Sequence, residues 1–260
     1  MQILARSLPF VTTRLSKRST LLLPSAAITA AAVTAASETA TTSCTIPALT
    51  EVAAILSKNE LAELRNLLPS LCDTGHPLDA VRLLDAALLA APPLSSLPLP
   101  DLTDRLCSLP DMTATMALLT ALRFNPRRPS PLPFCAMMLS SYFRRRRLRE
   151  AAKVFAWLCR ADSPCRPDIK IYGIAVRGFC ERARAFEAVR VAREMVRDEV
   201  VLTVDLRVLL CHALLREARV QEALDLDSAI NMVGEAGDGH GDRIDGVVEL
   251  LDSMIKDWED

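Results

Sequence analysis

Apolar residues recur along this chain at intervals of three and four, and the pattern restarts several times. Ala80, Leu83, Leu84, Ala87, Leu88 and Ala91 mark one face of a helix, as do Ala151, Val154, Phe155, Leu158 and Cys159. Ala185, Ala188, Val189, Ala192, Met195 and Val196 do the same. Upstream of these faces lie more broadly apolar stretches, such as Ile169 to Cys180, that predict a companion helix. Turn-forming residues separate the two halves, as in Asp73-Thr74-Gly75-His76-Pro77. Pro167-Asp168 closes one unit before Ile169 opens the next, because proline cannot donate to a helix ladder and disfavours helix just before it.

These pairs share a register. An acidic residue followed by alanine occurs at Asp79-Ala80, Glu150-Ala151, Glu187-Ala188 and Glu222-Ala223, so the alanines lie 71, 37 and 35 residues apart. The first gap is two periods, which predicts a degenerate copy with Thr115 at the alanine position. Ten residues before each alanine stands a small residue (Ser70, Ser141, Gly178, Ala213), then Leu71, Tyr142, Phe179 or Leu214. Cys72, Phe143, Cys180 and Leu215 follow, with Cys107 in the degenerate copy. On this register, repeats begin near Leu61, Ser96, Leu132, Ile169 and Val204 and fill residues 61–238. Two helices of a dozen residues cannot bury both faces alone, so neighbours must stack. The expectation is an all-α chain: an α-solenoid of about five stacked two-helix repeats. Gly234 to Asp242 reads as a loop, and Arg243 to Trp258 as a helix that caps the last repeat within a closing segment, 239–260.

A unit of about 35 residues, with small-aromatic-Cys in its first helix and acid-Ala in its second, resembles the pentatricopeptide repeat family. The stretch Arg166 to Met195 carries the likeness most fully: a proline-aspartate junction, Tyr172, Gly178-Phe179-Cys180 and Glu187-Ala188. The resemblance implies single-stranded RNA as partner, read one base per repeat by the fifth residue and the residue that closes the repeat. The fifth residues here are Arg65, Pro100, Ala136, Gly173 and Val208; the closing ones are Ser95, Pro131, Asp168, Thr203 and Asp238. No repeat supplies the paired polar side chains of the family code, since Ala, Gly and Val cannot hydrogen-bond a base edge. The resemblance therefore implies an RNA-binding protein of limited specificity that assists splicing, stability or translation. The competing expectation is a protein-interaction scaffold, for instance on an organellar ribosome.

Charge sharpens this picture. Cys44 to Leu122 holds 4 basic and 9 acidic residues, net −5; Arg123 to Thr203 holds 18 and 8, net +10; Val204 to Asp260 holds 5 and 14, net −9. The central repeats are the candidate footprint for a polyanion. Arg144, Arg145, Arg146 and Arg147 sit at the turn between the helices of the third repeat, where they are candidate phosphate contacts. With Ala136, Asp168, Gly173 and Thr203 they make up the predicted RNA-binding set.

Residues 1–43 differ from the rest. Arg6, Arg14, Lys17 and Arg18 stand among many Ser, Thr and Ala, with no acid before Glu38. This is the composition of a disordered organellar transit peptide, mitochondrial by its arginines, with the chloroplast as alternative. The Leu21 to Ala36 run also allows a secretory signal, but Pro24 and the threonines dilute it, and it is too short and mixed to span a membrane. The eight cysteines form no C-x-x-C pair, and Cys72, Cys107 and Cys180 share one column inside successive helices, which predicts core packing. His76, His212 and His240 are isolated, and no phosphate loop, nucleophile elbow or deaminase H-x-E motif is present. The expectation is a protein without catalysis, cofactor, metal, small-molecule substrate or membrane attachment.

Overall fold

Caps and prolines set where the helices start. Ser57 and Glu60 form a reciprocal capping box on the first helix, Asp168 accepts a hydrogen bond from the Ile171 N–H (2.8 Å), and Thr203 accepts one from Leu206 N–H (3.4 Å). Proline lies in the first turn of three others, where its missing N–H costs nothing. A computed structural model describes residues 56–124, 128–234 and 240–259, all within the unit spanning residues 51–260. The predicted transit peptide lies outside the described residues.

The described residues form eleven α-helices and one 3-10 turn, with no strand. In chain order they are α1 (Lys58–Asp73), α2 (Pro77–Leu89), the 3-10 turn (Leu94–Ser96), α3 (Leu99–Ser108), α4 (Thr113–Phe124), α5 (Leu132–Arg144) and α6 (Leu148–Leu158). Then come α7 (Ile169–Glu181), α8 (Ala185–Arg197), α9 (Val204–Arg216), α10 (Val220–Gly234) and α11 (His240–Glu259). α1 packs on α2, α3 on α4, α5 on α6, α7 on α8 and α9 on α10. The odd-numbered helices also pack in succession, α1 on α3, α3 on α5, α5 on α7 and α7 on α9. Three boundaries differ from expectation, the first being α1, which starts at Lys58 on the Ser57 cap rather than near Leu61. The second unit's first helix starts at Leu99 because the 3-10 turn occupies 94–96, and α11 begins at His240, inside the segment expected to be loop.

The alanine column is core. Ala80, Ala151 and Ala188 are fully buried and Ala223 nearly so; Thr115, in the degenerate copy, is also buried. Its hydroxyl stays satisfied by the Met112 carbonyl (2.9 Å) and the Tyr142 hydroxyl (3.2 Å).

Five helix ends share one geometry: α8, at Glu199, and four that lie between the helices of a pair. Gly75, Arg146, Ala183 and Ala218 take φ of 82°, 58°, 52° and 61°, just past α1, α5, α7 and α9. The next N–H then donates back to Leu71, Tyr142, Phe179 or Leu214 oxygen, at 2.8, 2.9, 3.1 and 3.0 Å. This closure satisfies a terminal carbonyl and turns the chain into the partner helix. The residues after the turn are His76, Arg147, Arg184 and Arg219, and each faces the acid of the acid-Ala phrase three positions on. Arg147 meets Glu150 at 2.9 Å and Arg184 Nε meets Glu187 at 3.0 Å; Arg219 pairs with Glu222, and His76 Nδ1 lies 3.9 Å from Asp79.

α11 was expected to cover the last pair. It packs on α10 of that pair and on α8 as well, burying Val247, Leu251, Met254 and Ile255. Arg193 and Arg197 of α8 donate to the two Asp252 oxygens at 3.0 and 2.8 Å, and Trp258 stacks near Phe186 (5.2 Å) under the Arg219 guanidinium.

Candidate nucleic-acid interface

The four consecutive arginines divide among three roles. Arg144 and Arg145 both donate to Asp104 of α3, Arg145 at 2.7 Å, and the Ser141 hydroxyl donates to the same carboxylate at 2.6 Å. The Ser141 hydrogen bond, with the two guanidinium groups, holds the Asp104 pKa down at about 2 despite partial desolvation. Arg146 occupies the left-handed turn position, exposed, with no acidic partner among the described residues.

Arg147 points inward to the end of α3. That helix lacks the closure seen on α1, α5, α7 and α9, because Leu109 is extended (φ −61°, ψ 149°). Its terminal carbonyls would be orphaned. Arg147 takes their place as cap, donating to Cys107 O (3.0 Å), Leu109 O and Pro110 O (3.0 Å) while lying over the Tyr142 ring. A cation there also meets the negative end of the helix dipole. Of the predicted phosphate contacts, Arg146 alone is left uncommitted, and Arg147 joins two units.

The other predicted positions divide similarly. Asp168 and Thr203 are N-caps of α7 and α9, which accounts for their side-chain types by helix chemistry. Ala136 is buried in α5 and presents little surface to a ligand. Gly173 is different: a Cβ built there meets no atom within 4 Å.

Gly173 lines a depression of about 370 Å³ between α5 and α7, with Ser140, Lys170, Ile174, Arg177 and Glu181 around it. Lys170, Arg177 and Glu181 follow helical spacing on the exposed face of α7, and both cations lack an acidic partner among the described residues. The depression is held by one close approach. Gly178 has no side chain, and the Phe143 ring fills that place, edge-on to Phe179 with centroids 4.9 Å apart at 88°. Lys170, Arg177 and Ser140 were not among the predicted residues. The signal for the two cations was the i, i+7, i+11 spacing of Lys170, Arg177 and Glu181 on the face of α7 opposite its apolar one.

The buried thiols are inert packing. Cys72, Cys107, Cys135 and Cys180 are buried, and burial raises the Cys107 pKa to about 11 and the Cys180 pKa to about 12. Among the described residues no three His, Cys, Asp or Glu side chains cluster as metal ligands, and no helix is long and apolar enough to cross a membrane. No family model and no curated protein matches this sequence.

Proposed function

We propose that this chain is a small α-solenoid of the pentatricopeptide-repeat kind that binds single-stranded RNA in an organelle without catalysing a reaction. The observation that carries the reading is the α5/α7 depression, open at Gly173 and bordered by the uncommitted cations Lys170 and Arg177. An unstacked base fits an open, partly apolar recess, and the two cations suit the flanking phosphates. The absence of a base-reading side chain at Gly173 goes with backbone-dominated affinity and weak sequence preference. The composition of residues 1–43 supports import into mitochondria, with the chloroplast as the alternative, and a role in splicing, stability or translation follows from the repeat resemblance.

The test is fluorescence anisotropy of labelled single-stranded RNA at about 50 and about 200 mM salt, where each lost phosphate contact lowers the log–log salt slope by about 0.7. Lys170→Ala with Arg177→Ala is expected to weaken binding and reduce that slope by about 1.4. Binding that ignores salt, or a slope unchanged in the double variant, overturns the assignment of this face.

A further inference from the structure

A second concavity lies between α6 and α8, which are not closely packed on one another. It encloses about 450 Å³ over an apolar floor that includes Phe155, Phe179 and Val191. The opening exists because α6 presents Ala152, Ala156 and Cys159 there, too short to reach α8. Its rim is cationic. Lys153, Arg160 and Arg190 are exposed and form no salt bridge among the described residues, although Lys153 lies within electrostatic reach of Glu150 and Arg190 lies over the Phe186 ring (5.6 Å). The two acids at the rim are committed elsewhere, Glu187 to Arg184 and Glu194 to Arg193.

The same chain shows what fills such a space. α8 and α10 are likewise not closely packed on one another, and α11 lies against both. Residues 240–259 carry 6 acidic and 2 basic residues, so α11 is an acidic amphipathic helix. Its apolar face enters the core, and Asp252 is clasped by Arg193 and Arg197. Phe186, Arg193 and Arg197 of α8 meet α11, whereas Glu187, Arg190, Val191 and Glu194 line the open groove, with Arg193 at the boundary of both. Helix α8 thus carries two adjacent sites for a crossing helix, and the chain supplies an occupant for one.

We infer that the α6/α8 groove docks an acidic amphipathic helix of a partner protein, its apolar residues over Phe155 and Val191 and its carboxylates on Lys153, Arg160 and Arg190. This surface is distinct from the α5/α7 face and independent of the RNA reading. The arrangement is that of a helix-in-groove contact, with apolar anchors for affinity and rim charges for orientation and on-rate.

The experiment uses the full chain and a fluorescein-labelled, helix-stabilised peptide with the sequence of residues 240–259 as probe. Binding is expected, weakening as salt rises. Ala156→Trp, which fills the groove from an exposed position, and Lys153→Glu with Arg160→Glu are each expected to lower affinity at least about tenfold, while Lys153→Arg with Arg160→Lys retains it. Circular dichroism melts of the variants are compared to confirm folding. Absence of binding overturns the inference. So does equal affinity for both disruptive variants, which would mean that the peptide only exchanges with α11. Displacement of the peptide by single-stranded RNA, with RNA binding lost on Ala156→Trp, would assign the groove to nucleic acid instead.

Discussion

Glycine inside a helix ordinarily weakens it, and replacing it by alanine is expected to help by about 1 kcal/mol. Gly178 of α7 should reverse that sign. A Cβ there would stand 2.4 Å from Phe143 Cδ2 and 2.5 Å from both Cε2 and Cγ, where ordinary contact begins at 3.4 Å. Relief needs a shift of about 1 Å, and rotating the ring cannot provide it, because Cγ is the ring's root. Moving α5 away from α7 would open the Phe143–Phe179 contact and the core beneath it. Overpacking of this kind costs about 1–3 kcal/mol, so after the propensity gain Gly178→Ala should be less stable by up to about 2 kcal/mol. Gly173, five residues earlier on the same helix, is the internal control. With no atom within 4 Å, Gly173→Ala should show the ordinary gain of about 1 kcal/mol. Urea unfolding followed by far-ultraviolet circular dichroism measures both. A Gly178→Ala midpoint at or above that of the parent chain would refute the close approach of α5 and α7.

Two further outcomes follow from the arginine turn. Arg147→Ala strips the carbonyls at the end of α3 of their donor and should cost about 2–3 kcal/mol in the same unfolding assay, whereas the exposed Arg146→Ala should stay within about 0.5 kcal/mol; equal effects would remove the capping role. The Asp104 carboxylate, held at about 2 in the fold, contributes stability above its unfolded pKa near 4 and loses it as pH falls from about 4 to about 2. With a third of the side chain exposed, that contribution is discounted to about 1 kcal/mol, so Asp104→Asn should lower stability near pH 7 by about that much and by almost nothing near pH 2; a gap that persists in acid would show that the carboxylate's charge is not the cause.

The helices were legible because their apolar spacing is a local property. A face such as Ala151, Val154, Phe155 and Leu158 has to be buried wherever the helix goes, and it is. The recurring acid-Ala phrase was legible as a pattern, but half of its chemistry was hidden. The alanine packs, while the acid answers a basic residue three positions ahead, in the column His76, Arg147, Arg184 and Arg219. In the third unit that column is masked by the neighbouring arginines, so a residue that starts α6 and caps α3 resembled one more member of a charge run. Pairings across units were not legible in the same way. Arg144 and Arg145 find Asp104 some forty residues away, and α11 finds Arg193 across 59. Nothing in the local spacing marks these partners, because both are set by which helix end meets which neighbour after packing.

Local charge counts therefore overstated what the arginine turn can offer a polyanion and missed Lys170 and Arg177, which a polar stripe leaves unpaired. The net +10 of the central segment is real, but its availability is decided by three-dimensional pairing. Acids from the flanking segments, Asp104 before it and Asp252 after it, reach in and neutralise part of it. Apart from Arg146 and Arg149 at the arginine turn, uncommitted cations stand in two places: Lys170 and Arg177 beside the α5/α7 depression, and Lys153, Arg160 and Arg190 along the α6/α8 groove. The two patches are separate, one on the first helices of the pairs and one on the second, so the proposed RNA face and the proposed helix groove can be tested apart. Single-patch variants should then separate the two activities, because Lys170→Ala with Arg177→Ala leaves the α6/α8 groove intact, and Ala156→Trp leaves Lys170 and Arg177 in place.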